Sequence, residues 1–349
     1  MRAELMTDSG KVTGIKDLAE ALGLSTSTVS RALAGNPRIS EETRQRVEAQ
    51  ARLMKYNANA VASSLRTGRS KILGVIIPLA NRSFFASVIS GIEKVANEGG
   101  YSVMICQTNE DSLREKEAID AFLKARVAGI AVSVAAHTRE YEHFERVKQA
   151  GIPLILFDRA YESIGTHQVV IDDRYGAKMA TDHLIQQGCR RILHFGGRQH
   201  MSIYKNRTFG YLDSLQQAGI PVDDDLLCFK TLHEEAVKEV IDELLDKCIP
   251  FDGIFASSDY AAIGAMQQLQ SRGIKVPQEV AIIGFADEPF TKWVTPGLTT
   301  VNQHPLEMGN AVANLFLNLM HSRRYSGALP LNRLTLTPDL IIRGSSMRC

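Results

Sequence analysis

From Ile72 onward, short apolar runs of strand length alternate with amphipathic stretches of helix length. Buried strands that alternate with helices predict parallel, doubly wound α/β sheets. The pattern occurs in two similar halves, before and after about residue 160, which predicts two lobes. The candidate strands are Ile72–Ile77, Ser102–Cys106, Gly129–Val134, Pro153–Phe157, Val169–Ile171, Ile192–Phe195, Gly253–Ala256 and Val280–Phe285, and the candidate helices include Phe85–Glu98, Leu113–Ala125, Gly176–Gln187 and Ala261–Ser271.

Lobes of this kind bind ligands in the crevice at the carboxyl ends of their strands. Phe84 and Phe85 follow the first candidate strand, where their rings could stack on a sugar or a base, or could simply open a helix as core residues. We expect Phe84 to face a pocket and Phe85 to be partly in the core. Asp158 and Arg159 end another strand, and the alternative there is a surface ion pair.

The segment Ile15–Leu33 reads as two short helices joined by a tight turn. The first helix has one apolar face at helical spacing and ends at Gly23, since glycine tolerates the left-handed conformation. Ser25 can cap the second helix by accepting a hydrogen bond from a free backbone N–H. Val29 and Leu33 form the inner stripe of that second helix.

The opposite face of the second helix carries Thr26, Ser27, Ser30 and Arg31, which are small and polar or cationic. A short helix with an apolar back and a polar front that lacks carboxylates suits the major groove of DNA. The alternative is a pair of surface helices in an all-α domain, and the pattern alone leaves both interpretations open.

A third helix is predicted from Glu41 to Met54, with Ser40 as its cap. Residues 55–71 then offer little apolar surface, with small residues around the isolated Leu65. A lone leucine of this kind can act as a wedge in the DNA minor groove. The alternative is a flexible linker. The wedge and the linker are compatible if the segment is flexible in the free protein and folds only when it binds DNA.

Charge is unevenly distributed along the chain. Residues 1–71 contain twelve Lys and Arg against seven Asp and Glu, although the whole chain has a net charge of +1. A basic head on an acidic body predicts that the head meets a polyanion. The sequence has no apolar run long enough to span a membrane and no apolar signal-peptide core, so we expect a cytoplasmic protein with no membrane partner.

Features of catalysis and of metal binding are lacking. The five cysteines are scattered, and we expect them to be reduced and mostly buried. The sequence has no GxGxxG after the first strand, no GxSxG and no P-loop, so an enzyme is disfavoured and neither a cofactor nor a metal is expected. His137, His143 and His183 fall on polar faces, where we expect them to be exposed.

Several segments of the chain, taken in order, resemble the lac repressor family of bacterial transcription regulators. The matching segments are IKDLAEALGLSTSTVSRAL, ISEETRQRVEAQARLMKYNAN, AVASSL and SKILGVIIP, followed by GVIIPLANRSFFASVISGIEKVANEGGYSV and SSDYAAIGAMQQLQSRGIKVPQEVAIIGFAD in the body. The resemblance implies a helix-turn-helix head, a hinge helix and two lobes similar to periplasmic binding proteins, joined by three crossovers. It also implies double-stranded operator DNA and a small-molecule effector as partners.

The resemblance implies specific roles for the residues of the head. Thr26, Ser27 and Arg31 align with positions that read bases, whereas Ser25 and Asn59 align with positions that contact the DNA backbone. Leu65 aligns with the intercalating leucine of the hinge. Ala58 departs from the proline that is usual there. The predicted DNA-binding residues are Ser25, Thr26, Ser27, Thr28, Ser30, Arg31, Asn59, Ala62 and Leu65.

The resemblance also implies effector contacts in the body. Arg207 aligns with an arginine that holds the effector, and its fork of donors suits vicinal hydroxyls or a carboxylate. Many relatives have an aspartate where this chain has Ala286, so either Asp287 restores the carboxylate or the effector has fewer hydroxyls or is itself acidic. Asp259 can instead be an N-cap. The predicted effector-binding residues are Phe84, Phe85, Asp158, Arg207, Ser258, Asp287 and Gln303.

We therefore predict a sequence-specific transcription regulator that binds near-palindromic operators as a homodimer. Repression is the usual outcome in the family, so we expect a repressor. We expect its affinity for DNA to be controlled by a sugar, sugar acid or nucleoside. The alternative is a ligand-binding protein of the periplasmic sugar-receptor type, which the basic head disfavours. The predicted domains are residues 1–57 (head), 58–71 (hinge) and 72–349 (body). The first lobe is expected at about 72–160 plus a returning segment after about 290, and the second at about 161–290 plus the C-terminal segment.

Overall fold

The computed structural model describes residues 14–33, 35–54, 56, 70–230, 232–322 and 330–348. The chain divides after Ser70 into two compact units, here called the head and the body. Three predicted DNA-binding residues, Asn59, Ala62 and Leu65, lie outside the described residues together with most of the predicted hinge.

The head contains three helices, α1 (Ile15–Leu22), α2 (Thr26–Leu33) and α3 (Glu41–Leu53). Helix α1 ends at Gly23, whose φ of 61° lies in the left-handed region. Ser40 caps α3, because its Oγ accepts a hydrogen bond from the backbone N–H of Thr43 at 3.3 Å. The core of the head is small and consists of Leu18, Ala19, Val29, Ala32, Val47 and Ala51.

The body contains two six-stranded sheets of alternating strand and helix, as the sequence predicts. The first sheet has the order β11-β5-β4-β3-β1-β2 and the second the order β12-β10-β9-β8-β6-β7. All pairs are parallel except β10 with β12. The strands are β1 (Ile72–Ile77), β2 (Ser102–Gln107), β3 (Gly129–Val132), β4 (Leu154–Phe157), β5 (His167–Ile171), β6 (Ile192–Phe195), β7 (Leu227–Cys228), β8 (Gly253–Ala256), β9 (Ala281–Phe285), β10 (Thr299–Asn302), β11 (Arg333–Leu336) and β12 (Asp339–Ile341).

Eight helices of the described body connect and cover these strands. They are α4 (Ser83–Glu98), α5 (Ser112–Lys124), α6 (Glu142–Gln149), α7 (Asp173–Gln186), α8 (Ser202–Gln217), α9 (Glu234–Asp246), α10 (Asp259–Ser271) and α11 (Pro305–Ser322). Helix α4 packs on α11 in the first lobe, and α7 packs on α8 in the second. Glycines permit these approaches: a Cβ on Gly309 would lie 2.1 Å from the carbonyl oxygen of Val88, and one on Gly210 would lie 2.1 Å from that of Arg174.

The chain crosses between the lobes three times, and the crossings correct the predicted lobe boundaries. Strand β5 pairs with β4 in the first sheet, so the first crossing follows Ile171 rather than residue 160. Strand β10 still belongs to the second sheet, and the return to the first lobe comes with α11 rather than near residue 290. The third crossing separates β11 from β12. The sequence pattern missed β5 as a member of the first lobe because its period carries no information about which sheet a strand joins.

Two expectations about burial are wrong. His143 and His183 are buried, whereas His137 is exposed as predicted. His143 Nε2 donates to the carboxylate oxygen Oε1 of Glu115 at 2.9 Å, and His183 Nε2 shares a hydrogen bond with Ser346 Oγ at 2.9 Å, so each polar ring has a partner inside the fold. The second wrong expectation is that the cysteines are mostly buried. Of the four described cysteines, all of which are free, only Cys189 is buried. No described helix has the length and apolar character needed to cross a membrane.

Candidate nucleic-acid interface and ligand cavity

Helix α2 presents a polar surface that its own hydrogen bonds organise. Ser25 precedes the helix, and its Oγ accepts from the backbone N–H of Thr28 at 3.1 Å, which satisfies one of the free donors of the first turn. Thr26 and Ser27 are exposed, and Thr28 is half-buried, as is Ser30. The apolar back of α2, with Val29 and Ala32 fully buried, leaves this polar face outward.

Arg31 is the long side chain of this face, and it is exposed. Its Nε donates to the carbonyl oxygen of Ser27 at 3.2 Å, and its Nη2 donates to Ser27 Oγ at 3.3 Å. These bonds hold the guanidinium along the helix and use two of its five N–H donors. A guanidinium held in this way is suited to a bidentate contact with the O6 and N7 atoms of guanine.

In the body, a cavity of about 400 Å³ lies between the two lobes, at the carboxyl ends of their strands. This is the location that doubly wound sheets use for ligands, and the volume is in the range of small-molecule sites. The cavity brings together six of the seven predicted effector residues, since Asp287 is not in its wall. The predicted residues in the wall are Phe84, Phe85, Asp158, Arg207, Ser258 and Gln303, and others are Arg82, Glu110, Arg159, Tyr204, Ser257, Tyr260 and Glu288.

Arg207, on α8, is the most highly connected side chain of the cavity. Its Nε donates to Asp173 Oδ1 at 2.8 Å, and its Nη1 donates to the carbonyl oxygen of Ser257 at 2.9 Å. Its Nη2 donates to Gln303 Oε1 at 3.3 Å, and the guanidinium lies over the ring of Phe285, 3.7 Å from the ring centre. Burial raises the pKa of Asp173 to about 6, although Arg207 opposes that shift. The fork is therefore fixed before any ligand arrives.

Asp158 and its neighbour Arg159 face the cavity from the end of β4. Asp158 adopts a positive φ of 57°, and its Oδ2 accepts a hydrogen bond from Ser133 Oγ at 3.0 Å. Burial raises the pKa of Asp158, against the opposing effect of Arg159. Arg159 Nε lies 3.9 Å from Asp158 Oδ2, and both residues are buried, so the alternative of a surface ion pair is wrong for Asp158 and Arg159. Arg159 Nη1 also donates to both carboxylate oxygens of Glu110, at 2.9 and 2.7 Å. Glu110 also accepts from the backbone N–H of Ala136 at 2.8 Å.

Phe84 and Phe85 are both buried and meet edge to face, with ring centres 5.1 Å apart. Both rings line the cavity and both belong to the main hydrophobic core, so the two alternatives for this pair are not exclusive. Ser258 also lines the cavity and immediately precedes α10, where its position is that of the N-cap.

Asp259 is not an N-cap, contrary to the alternative raised from the sequence. It is the first residue of α10 and is fully buried. Its Oδ1 accepts from Thr300 Oγ1 at 2.6 Å, and its Oδ2 accepts from the backbone N–H of Glu288 at 2.8 Å. Burial raises the pKa of Asp259 to about 7. The carboxylate ties α10 to β10 and to the loop after β9.

Asp287, the candidate to restore the carboxylate missing at Ala286, does not line the cavity. Asp287 Oδ1 accepts from Arg343 Nη2 at 2.7 Å, in an ion pair outside the wall of the cavity. Both Ala286 and Asp287 have a positive φ, of 133° and 52°, in the loop between β9 and Glu288. Glu288 lines the cavity, which the sequence pattern did not reveal because its spacing from the strand differs from that of the family aspartate.

Direct contacts join the two lobes around the cavity. Ser83 Oγ, at the start of α4, donates to Glu288 Oε2, and the guanidinium of Arg82 stacks 3.6 Å above the ring of Tyr260. On the other side, Ser202 Oγ donates to the carbonyl oxygen of Ala160 at 3.0 Å. Sequence reasoning missed these residues, because the partners are distant in the chain and only the fold brings them together. Among the described residues no group of His, Cys, Asp and Glu has the arrangement of a metal site.

Comparisons with known proteins agree with this architecture. Residues 14–59 match bacterial regulatory proteins of the lacI family, and residues 181–346 match the periplasmic binding protein-like domain. The HTH-type transcriptional regulator GalR of Escherichia coli strain K12 is 32% identical over 334 residues, which are 95% of this chain and 95% of GalR. The HTH-type transcriptional regulator DegA of Bacillus subtilis strain 168 is 31% identical over 335 residues, covering 96% of this chain and 98% of DegA.

Two solved structures extend the comparison. The lac repressor dimer bound to operator and the anti-inducer ONPF matches with a TM-score of 0.83 at 21% identity, over 97% of this chain and 100% of that one. A periplasmic binding protein/LacI transcriptional regulator from Alkaliphilus metalliredigens QYMF, complexed with D-xylulofuranose, matches with a TM-score of 0.68 at 28% identity, over 80% of this chain and 100% of that one.

The helix-turn-helix head and the two-lobed, periplasmic binding protein-like body place the chain among DNA-binding transcriptional regulators, and its relatives GalR and DegA are such regulators rather than enzymes. The chain belongs to the LacI family of bacterial transcriptional regulators.

Proposed function

We propose that this protein is a dimeric cytoplasmic repressor that binds near-palindromic operators and that a sugar, sugar acid or nucleoside in the interlobe cavity controls its affinity for DNA. The observation that carries the effector part is the Arg207 fork, which Asp173 and Gln303 hold at the wall of the cavity. Such a preorganised fork suits vicinal hydroxyls. The ligand named for the Alkaliphilus relative is also a sugar.

In this proposal the head reads DNA through the outer face of α2. Thr26, Ser27 and Arg31 meet base edges, while Ser25, Thr28 and Ser30 position the helix against the backbone. Residues 58–71 form the hinge. There, Asn59 contacts the DNA backbone, Ala62 allows two hinge helices to approach closely, and Leu65 inserts into the minor groove.

The open edge of the first sheet supports a dimer. Strand β2 is the edge strand, and its Met104 and Ile105 side chains are 40% and 44% exposed. Strand β7 is the corresponding edge of the second sheet, and Phe229 beside it is 42% exposed. Apolar side chains along an open edge favour pairing with another chain, and a two-fold dimer presents two heads to the two halves of a palindrome.

Control by the effector follows as a population shift. A ligand that contacts both lobes favours one degree of lobe closure, and that closure sets the distance between the two hinges of a dimer. Thermodynamic reciprocity then requires operator DNA to change the affinity for the ligand by the same factor. The ligand can release the protein from DNA or recruit it, according to which closure the operator complex favours.

Selection of binding sites from random DNA with the full-length protein tests this proposal. We expect enriched sites with two-fold symmetry, a dimer in sedimentation equilibrium, and a change in operator affinity when neutral sugars, sugar acids or nucleosides are added. Enrichment of unsymmetrical sites would contradict the dimeric reader. Unchanged affinity with every member of these three ligand classes would contradict effector control.

A further inference from the structure

Glu288 is a buried carboxylate in the wall of the cavity, and it contacts the opposite lobe. Glu288 is 5% exposed, and its Oε2 accepts a hydrogen bond from Ser83 Oγ on the first lobe. Within the described part of the chain, that hydroxyl is the one donor bonded to its side chain. A buried carboxylate is costly unless several donors satisfy it, so this group has unused capacity to accept hydrogen bonds.

The surrounding loop fixes Glu288 in this position. Its backbone N–H donates to Asp259 Oδ2 at 2.8 Å, and Thr300 Oγ1 accepts from the backbone N–H of Asp287 at 3.2 Å. The ion pair of Asp287 with Arg343 holds the preceding carboxylate outside the cavity wall. Of the two carboxylates in this loop, that of Asp287 is paired with Arg343 outside the cavity wall, and that of Glu288 lines the cavity.

The charges around the cavity indicate which ligand this carboxylate suits. Arg207 is paired with Asp173, and Arg159 is paired with Glu110, so both deeply buried cations are already compensated. Arg198 is exposed, and Arg82 is half-buried against the Tyr260 ring. An anionic ligand would meet Glu288 without a free buried cation to offset the repulsion, whereas the hydroxyls of a neutral ligand supply the donors that a carboxylate lacks.

We infer that Glu288 is the effector-binding carboxylate of the second lobe and that Ser83 occupies its place until a hydroxyl of a neutral sugar displaces it. This inference rests on the proposed function, because it assigns a chemical class to the effector of that same cavity. The Ser83–Glu288 bond is then a competitor of the ligand, and it closes the lobes in the free protein.

Removing the two partners of this bond has opposite effects on ligand affinity. Glu288→Gln keeps the shape of the side chain but removes the charged acceptor, so the Kd of a neutral sugar rises by about tenfold or more. Ser83→Ala removes the competing donor, so the Kd falls by roughly three- to tenfold. If Ser83 served only to support the wall, or itself bound the ligand, both substitutions would weaken binding.

The test uses isothermal titration calorimetry on the full chain with D-ribose, D-galactose, D-glucose and cellobiose as neutral probes, and D-gluconate and glucose 6-phosphate as anionic probes. The matched control is Glu239→Gln, which removes an exposed carboxylate of the second lobe and is expected to leave the Kd unchanged. Tighter binding by Ser83→Ala and weaker binding by Glu288→Gln support the inference. Binding of the anionic probes alone, binding of no probe, or loss of affinity in both variants would overturn it.

The outcome is separable from that of the proposed function. Calorimetry needs no DNA, so the opposite effects of the two variants can appear even if site selection finds no operator, in which case only the DNA-binding proposal fails. Conversely, an operator complex that responds to a sugar equally in the wild type and in both variants would overturn the role of Glu288 alone.

Discussion

The Nε of Arg207 donates to Oδ1 of Asp173 across 2.8 Å, and each side chain is 5% exposed. A buried ion pair contributes little to stability in total, but removal of one partner strands a charge. Since the guanidinium also bonds to Ser257 and Gln303, the same side chain serves both the fold and the cavity.

Replacement of Arg207 by alanine is therefore expected to do two things. It leaves Asp173 buried without its partner, which lowers the free energy of unfolding of the body by about 3–5 kcal/mol. It also removes the fork from the cavity, so a sugar that stabilises the wild type no longer raises the melting temperature. Chemical denaturation and a thermal-shift titration measure the two effects.

Arg207→Lys separates the two roles. A lysine keeps a charge beside Asp173 but lacks the planar fork, so it is expected to lose ligand stabilisation with a smaller loss of folding stability than alanine causes. Retention of the full sugar-induced shift in Arg207→Lys would remove the fork from the recognition of the effector.

Much of the fold was predictable because local pattern determines local structure. The apolar runs of β1, β3, β4, β6, β8 and β9 are buried and were predicted within a few residues. Strand β10, which reads Thr299–Asn302, was not predicted, because two threonines conceal a strand that tertiary hydrogen bonds bury. The short edge strand β7 has too few residues to give a period.

The cavity was less predictable, because local patterns in the sequence say nothing about contacts between residues that are distant in the chain. Phe84, Arg207 and Gln303 could be placed because strand ends meet at one edge of a sheet and because the family aligns there. The partner of Arg207 is 34 residues away along the chain, and that of Ser83 is 205 residues away. No local period encodes pairings of that length, so Asp173 and Glu288 emerged only from the fold.

Arg31 is expected to carry base specificity. Arg31→Ala should weaken binding to the selected operator by roughly 5- to 150-fold, the worth of one bidentate base contact, while affinity for random DNA falls much less. Fluorescence anisotropy with both DNAs at one salt concentration measures this ratio. Arg52→Ala is the matched control, since it removes an exposed cation from α3 and should reduce both affinities alike. Equal losses on both DNAs in Arg31→Ala would make that residue a phosphate contact.

Leu65 lies outside the described residues, and its role stays a prediction from the sequence. Leu65→Gly should leave the cooperative unfolding of the body unchanged but lower operator affinity and reduce DNA bending, because glycine cannot unstack a base step. Energy transfer between dyes at the ends of an operator fragment measures the bend. An unaltered bend would exclude the wedge.

Gly309 is expected to stabilise the body by allowing the backbones of α4 and α11 to approach closely. A Cβ there would lie 2.1 Å from the carbonyl oxygen of Val88 and 2.9 Å from the backbone N of Ile92, and backbone cannot move aside as a side chain does. Gly309→Ala should therefore lower the free energy of unfolding by about 1–3 kcal/mol, despite the better helix propensity of alanine. Asn314→Ala, on the exposed side of the same helix, is the control and should be neutral or slightly stabilising.

Asp259 should make the stability of the body fall as pH rises from about 4 to about 7. Burial raises its pKa to about 7 in the folded protein, from an ordinary value of 3.8. Between these values the folded state holds a proton that the unfolded state releases, so the free energy of unfolding decreases with pH, at most by about 1.4 kcal/mol per unit. Below pH 4 both states are protonated and the contribution is constant.

Asp259→Asn isolates this contribution, because an amide can still accept from the Glu288 N–H and does not titrate. Urea unfolding followed by circular dichroism, at intervals from pH 4 to pH 8, gives the stability of each protein. The difference between wild type and variant cancels the other carboxylates, whose titration the two proteins share. That difference should decline as pH rises through the window, and a flat difference would show that Asp259 is charged throughout and that the Thr300 and Glu288 hydrogen bonds offset its burial.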